Sequence, residues 1–449
     1  MNAAERTQPL NCLSLFASAG IGELGVRAAG VEILVANEII QDRCGLYRHN
    51  HPDTHLVEGD IWEQRDEIRK ACQEKLNGDE LFLAYATPPC QGMSTNGAGK
   101  IKSEIAAGRR PVVDERNRLV IPAMDIIAGF RPRWVLFENV PGMKDTIIEV
   151  DGAPCSIVDY IASRLGPEYS GGCEVVACSD FGIPQLRRRL ITVFTRDDNG
   201  KRHLREHCGS VLIGDDREPS LSIWDAIGAL PPLDASEGQN AAPEFHPLHE
   251  VGVMSREKYW WVSNTPEGDT AFNNQCVNPI CLFQGNRRHE DETRDGRAVS
   301  SKTTPLHCSA CGELLPRPTM IDRSTGERRL ISGFHSAYRR MESNKPARTL
   351  TRNFPFEASD NKIHPTQNRV LSVYEALVLQ TVTRYEYDWV VDGRPSPRSL
   401  IAQAIGESVP PLLIEKLVRR LTELTLVSGQ EGRTMPIRGQ VGGGTPVVM

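Results

Sequence analysis

A cysteine behind two prolines, in the run LAYATPPCQGMS over residues 83–94, poses the first chemical question. Pro88 and Pro89 stiffen the backbone where an apolar run ends, a setting that suits a thiol held out at a strand terminus more than one packed in a core. Glu138, in LFENVPG, closes a second apolar run. In QLRRRL, strand-like alternation puts Arg187 and Arg189 on one face, with Gln185 two residues ahead. A thiol beside a carboxyl group suits attack on an electron-poor ring. The thiolate adds to a ring carbon, the acid serves the ring nitrogen that gathers charge, and a guanidinium fixes a carbonyl oxygen. Taken singly, Cys90 reads as a packing residue and Glu138 as a strand-end acid. No histidine stands near Cys90 to make a Cys-His pair, and no base that would deprotonate it is visible beside it.

A second group lies nearer the N-terminus. FASAGIGELG places Gly20 and Gly22 between a strand and a helix, where small residues let a ligand approach the backbone and the helix N-terminus favours a negative group. Glu38 ends the next apolar run, and Asp60, in EGDI, follows the third. In an open α/β sheet the strand C-termini share one crevice, and an acid after the second strand is placed for ribose hydroxyls. A nucleoside-containing cofactor is the reading these residues support; two solvated strand-end acids are the plainer one. A third group is the cysteine set Cys276, Cys281, Cys308 and Cys311, two close pairs with Gly312 after the last. Two such pairs match a structural Zn2+ site closed by four thiolates, with His307 as a substitute ligand and four unrelated reduced thiols as the bland alternative.

These groups need a scaffold. From residue 12 to 190, apolar runs of strand length alternate with helical spacing: CLSLFASAG, VEILVANE, ELFLAYATPP, RWVLFENV and LITVFTR among the strands, NRLVIPAMDIIAGFRP among the helices, interrupted by Pro122. Near-continuous apolar strands imply an α/β, doubly wound, mostly parallel sheet covered on both faces. From about 197 to 365 Gly, Pro, Asn, Asp, Arg and Ser dominate, and a smaller irregular or β-containing domain is expected. Helical pattern returns in RVLSVYEALVLQ and SLIAQAIGESVPPLLIEKLVRRLTELTL. The boundaries read as 10–196, 197–365, 366–427 returning to the first unit, and a flexible tail 428–449. The chain of 449 residues has net charge -6, yet residues 281–352 hold 14 Lys/Arg against 8 Asp/Glu, a local +6. That suits a phosphate-binding face on an acidic body, or equally a solvated loop-rich surface. No apolar run reaches the roughly 18 residues of a membrane span and MNAAERTQPL lacks a signal-peptide core, so a cytoplasmic chain with its twelve cysteines reduced is expected.

In this order the motifs resemble the DNA cytosine-5 methyltransferase family: LFASAGIGELG, NE, GDI, PPCQGMS, ENVPG, QLRRRL, RVLSVYEALVLQ and GESVPP, covering about 12–190 and 340–425. The resemblance implies a Rossmann-like fold and S-adenosyl-L-methionine as cofactor. Phe16 would stack on its adenine, Glu38 hold the ribose and Asp60 the adenine amine, with Ala19, Gly20, Gly22, Ile39, Ile61, Pro88, Ser408 and Val409 lining the same site. Cys90 would add to C6 of a cytosine flipped out of duplex DNA, Glu138 would contact N3 and the exocyclic amine, and Arg189 the O2 oxygen, with Arg187 counted among the same catalytic residues. The loop QGMSTNGAGKIKSEIAAGRR would close over the base, and the insertion would be the target recognition domain. Arg287, Arg288, Arg339 and Arg352 would be candidates for phosphate or guanine contacts. A monomer acting beside a cognate restriction endonuclease is the implied setting. Two departures stand out: Glu407 occupies the family's usual Asn in Gly-Asn-Ser-Val, and VLQTVTRYEYDW lacks the Phe-Pro that commonly follows Leu-Gln. An RNA-directed enzyme of the same fold and a catalytically silent DNA-binding regulator remain alternatives. The long insertion counts against the first, and the presence of Cys90, Glu138 and Arg189 against the second.

Overall fold

The computed structural model describes residues 10–89, 115–294, 297–301, 303–331, 336–359 and 361–427, without the side chains of 291–300 and 427. Its centre is a seven-stranded sheet of β1 (Asn11–Leu15), β2 (Glu32–Glu38), β3 (His55–Glu58), β4 (Leu83–Ala86), β5 (Trp134–Asn139), β6 (Ser170–Ala177) and β7 (Arg188–Thr195). The order across it is β3-β2-β1-β4-β5-β7-β6. Every pairing from β3 to β5 is parallel, whereas β7 runs antiparallel to both β5 and β6. The expected mostly parallel, doubly wound α/β sheet is present, with one reversed strand. Its order turns between β1 and β4, which places the crevice at their C-terminal ends.

Strands β1, β4 and β5 are buried at every position, as uninterrupted apolar runs require when both faces are covered. On one face lie α3 (Ile61–Leu76), α4 (Val120–Phe130) and α5 (Ile157–Leu165), whose Ile68, Met124, Ile127 and Ile161 pack with Leu13, Val135 and Phe137. The other face carries α1 (Ile21–Ala28), α6 (Asp198–Glu206) and α9 (Pro411–Val427), whose Leu413, Leu417 and Leu421 join Leu83, Trp134 and Leu136. Each of those three leucines is fully buried, contributing about 1.5–3 kcal/mol. At Gly25 a Cβ would stand 2.2 Å from the Pro411 carbonyl oxygen, so α1 and α9 touch backbone to backbone. Between β2 and β3 runs α2 (Gln41–Asn50), and before α9 come α7 (Val373–Leu379) and α8 (Arg398–Glu407). Pro410 and Pro411 divide the long C-terminal helical pattern into those last two helices.

Two expectations need correction. Pro122 does not interrupt its helix: it falls in the first turn of α4, where its missing N–H has no intrahelical acceptor to lose. Nor does the sheet's core stop at residue 196. Leu204, Val211 and Leu212 pack with Trp134 and Leu417, so the first stretch of the insertion belongs to the sheet physically. Beyond it, the described insertion has two two-stranded hairpins (Asp291–Arg294 with Arg297–Ser300, and Thr319–Ile321 with Arg328–Leu330) and short helices Ile223–Ile227 and Arg256–Ser263. A small core of Trp261, Val262, Ala271, Phe272, Ala337, Tyr338 and Ile363 sits within it. Buried arginines tie its loops. Arg340 donates to the carbonyls of Val262, Thr265, His364 and Gln367, and Arg317 to those of Asn274 and Pro305. No described helix is long and apolar enough to cross a membrane.

Candidate active site and a four-cysteine cluster

β1 runs into a tight turn in which Phe16 (φ 64°), Ser18 (φ 52°) and Gly20 (φ 79°) all take left-handed conformations, with Gly20 capping α1. A side chain at Gly20 would meet His51 Nε2 at 2.3 Å. His51 Nε2–H instead donates to the Gly20 carbonyl at 2.9 Å while Nδ1 faces the Arg27 guanidinium at 3.4 Å, which sets the tautomer. Burial lowers the His51 pKa to about 4, so the ring stays neutral. Glu38 closes the turn from β2: its carboxylate accepts the Ser18 N–H at 2.7 Å and the Ile40 N–H at 2.8 Å. Directly after this buried acid, Ile39 is 61% and Ile40 42% exposed. A carboxylate beside bare apolar surface can take a flat ring joined to hydroxyls. Asp60 caps α3, accepting the Trp62 N–H at 2.9 Å, ahead of buried Ile61. Ala19 is buried, and Gly22 lies against Tyr85 and Val409.

The second group assembles at the neighbouring strand ends. Ala86 pairs with Phe137, so the chain leaving β4 runs beside Glu138. The Asn139 side-chain amide donates to the Pro88 carbonyl at 2.9 Å, and the Thr87 hydroxyl to the Phe16 carbonyl at 2.9 Å. Pro88 is thus held where the turn of Phe16 to Gly20 and β5 meet. Arg189 Nε lies 2.5 Å from Glu138 Oε1, an ion pair with both side chains buried. Cys90 and the loop of 91–110 lie outside the described residues. Arg187, grouped with Arg189 from the sequence, is turned to the main chain, donating to the carbonyls of Leu350 (2.9 Å) and Gly406 (3.1 Å). The alternation held, but these contacts use Arg187 as a strut between segments. Gln185, fully buried, bonds Gln380 at 2.9 Å and accepts the Leu350 N–H at 2.9 Å; Gln380 in turn donates to Ser408. Four stretches well separated in sequence therefore meet behind the crevice.

Two residues were not legible from sequence. Arg43, on α2, is the partner of the anomalous Glu407, at 2.6 Å; the two lie 364 positions apart. Glu23, 2% exposed in the first turn of α1, accepts the Ser14 hydroxyl at 2.7 Å, and burial raises its pKa to about 7. A charged residue inside an otherwise apolar helix start was its only signal.

In the insertion, the four Sγ atoms of Cys276, Cys281, Cys308 and Cys311 lie within 4.8 Å of one another. Cys276–Cys311 and Cys281–Cys308 are 3.6 and 3.9 Å apart, and a tetrahedron with Zn–S arms of about 2.3 Å has edges of about 3.8 Å. The Asn286 amide donates to Cys308 Sγ at 3.7 Å, and Gly312 (φ 78°) makes the turn after Cys311. Among the arginines named above, Arg287, Arg288 and Arg352 are exposed, while Arg339 donates to the Gly268 carbonyl.

The model of the family described as C-5 cytosine-specific DNA methylase matches residues 10–423. A type II methyltransferase of Avibacterium volantium, M1.HgaI, is 29% identical over 418 residues, covering 91% of this chain and 97% of the relative. M1.HphI of Haemophilus parahaemolyticus is 25% identical over 416 residues, covering 92% and 87%. Among solved structures, Spodoptera frugiperda DNMT2 superposes with a TM-score of 0.51 at 12% identity, covering 92% of this chain and 99% of that one. The last likeness speaks to the fold.

Proposed function

The chain belongs to the C-5 cytosine-specific DNA methylases, and from that premise we propose a division of labour among its residues. S-adenosylmethionine, the cofactor of the family, supplies an activated methyl group on its sulfonium. The left-handed turn from Phe16 to Gly20, the carboxylate of Glu38, the exposed face of Ile39 and the Asp60 cap form the cradle for it. Ala19, Gly22, Ile61, Pro88, Ser408 and Val409 back that cradle.

A cytosine extruded from the duplex enters the crevice at the ends of β4 and β5. The Cys90 thiolate forms a bond to C6, and the displaced ring electrons make C5 nucleophilic. Glu138 holds N3 and the exocyclic amine, and Arg189, already paired with Glu138, holds O2. C5 would take up the methyl group as the sulfonium S–CH3 bond breaks to leave a neutral thioether; loss of the C5 proton to solvent and cleavage of the Cys90 S–C6 bond would then restore the aromatic ring and the thiolate. The observation that carries this reading is the buried Glu138–Arg189 pair beside Pro88, which leads straight to Cys90. Arg187 and Gln185 position this group rather than touch the base. Residues 10–212 with 366–427 make the catalytic unit, 197–212 being seated on its sheet, and the rest of the insertion to 365 the target recognition domain, with the four thiolates holding a structural zinc ion. The names of the relatives support a type II restriction-modification setting, hence EC 2.1.1.37 activity on double-stranded DNA.

Bisulfite sequencing of DNA from cells expressing the chain reads substrate and context together. The wild-type chain is expected to mark cytosines in one fixed context. Cys90→Ala is expected to leave that DNA unmethylated while calorimetry still detects S-adenosylmethionine binding; methylation by the variant would sink the mechanism.

A further inference from the structure

Between Val277 and Phe283 the chain turns apolar side chains outward. Ile280 is 96% exposed, Leu282 57%, and Val277 and Phe283 37% each. Exposed apolar residues are ordinary when scattered, but a cluster on one short loop marks a contact surface. This loop is built rather than slack. The Asn278 side chain accepts the Ile280 N–H at 2.9 Å, its carbonyl accepts the N–H groups of Cys281 and Leu282 at 2.9 and 3.0 Å, and the Cys276 N–H returns to the Phe283 carbonyl at 3.3 Å. Cys276 stands just before it and Cys281 within it, both members of the four-sulfur cluster.

Charge indicates what the loop meets. No acidic residue lies between Asp269 and Glu290, although the whole chain is net acidic, and Arg287 and Arg288 stand exposed just beyond the tip. Arg288 has Asp269 at 3.7 Å, a loose pair with the arginine side chain 66% exposed. An apolar tip followed by two cations suits a polyanion whose interior is apolar, which describes a base-paired duplex. The loop is also tied to the crevice. At its root the Arg340 N–H donates to the Asp269 carbonyl at 2.9 Å and the Ala271 N–H to the Tyr338 carbonyl at 3.0 Å. Seven residues beyond Arg340, the Ala347 N–H donates to the Pro184 carbonyl at 3.0 Å, and the Leu350 N–H then reaches Gln185. The tip therefore keeps a fixed offset from Arg189.

Resting on the DNA reading above, we propose that Ile280 and Leu282 form a wedge that seats against a base step flanking the target cytosine, while Arg287 and Arg288 bind the adjoining phosphates. The four-cysteine cluster then acts as the mount that keeps apolar side chains from folding inward.

The test uses the full chain and a fluorescent duplex carrying the context found by bisulfite sequencing, with binding followed by anisotropy across a salt series. Two double variants are compared with wild type, Ile280→Ser with Leu282→Ser and Arg287→Gln with Arg288→Gln. All four side chains are exposed, and unchanged S-adenosylmethionine affinity and zinc content serve as the folding control. The apolar pair is expected to weaken duplex binding about tenfold, as one mismatched base pair does, with the salt slope unchanged. The arginine pair is expected to reduce the slope by about 1.8. With 2-aminopurine at each flanking position in turn, the wild type should brighten one position and the apolar variant none. Wild-type affinity and methylation in both variants would overturn the wedge and leave the tip as a protein-facing patch. A wild-type chain that neither binds nor methylates the duplex overturns the DNA reading itself, and the bisulfite result shows that separately.

Discussion

The cofactor-bearing sheet and the cysteine-bearing insertion achieve order by opposite means. In the sheet, strands buried along all or nearly all of their length carry Glu38 and Glu138 at their ends, so position follows from a repeated apolar pattern packed on two faces. In the insertion the core is small, and single polar hubs do the holding: Arg340 satisfies four carbonyls and Arg317 two. A pattern spread over many residues degrades gradually when one is changed. A hub fails at once, because each released carbonyl is a buried acceptor left without a partner.

The sharpest way to break this contrast is to remove one thiolate. Cys308→Ser should lower zinc content from one ion per chain to a trace and abolish specific DNA binding, while S-adenosylmethionine affinity stays within about twofold, because the cysteines pack around Leu315, apart from the core that holds Ala19 and Ile21. Loss of cofactor binding together with DNA binding would mean that the two regions fold as one. A second test bears on the sheet. With a folded pKa of about 7 against 4.5 for the ordinary group, neutral Glu23 contributes stability that is complete below about pH 4.5 and is lost as the pH rises to 7. The loss is on the order of 3 kcal/mol. His51 and His364, held neutral by burial, act in the other direction below pH 6.5. The effect is therefore read as the difference in urea midpoint between wild type and Glu23→Gln across pH 5–7. Equal pH slopes in the two proteins would contradict it. The smallest effect concerns the ion pair joining α2 to the segment before Ser408. Glu407→Asn, which installs the family's usual residue, should cost about 1 kcal/mol and raise the KM for S-adenosylmethionine severalfold with kcat little changed, because Arg43 is left nearly buried without its carboxylate. Arg43→Gln in the same chain should recover part of that loss; a double variant no better than Glu407→Asn would count against the pairing.

What the sequence disclosed follows the same division. Glu38, Asp60 and Glu138 were legible because each ends an apolar run, and strand ends in such a sheet share a crevice. The cysteine quartet was legible through its spacing. The struts were not. Arg187 carries the same alternation signal as Arg189, and only the proximity of Leu350 and Gly406 separates a strut from a base contact. Glu407 looked like a defect until α2 brought Arg43 to it. Side chains that bond main-chain carbonyls leave no mark in composition or periodicity, because every residue offers that acceptor. The same gap moved the domain boundary: residues 197–212 are polar enough to read as insertion, yet three apolar side chains seat them on the sheet.

The contact between Gly25 and Pro411 has a consequence for synthesis. Helix α1 follows directly on the turn of Phe16 to Gly20, but the surface it packs against is encoded nearly 400 residues later. At about 5–20 residues per second that interval is roughly 20–80 s. Through it the turn is present without the helix that braces it, and Ser408 and Val409 do not yet exist. A nascent chain therefore carries Cys90, the proposed nucleophile, while the proposed cofactor cradle is still open on one side. Competence to modify DNA waits for the segment that begins at Pro411.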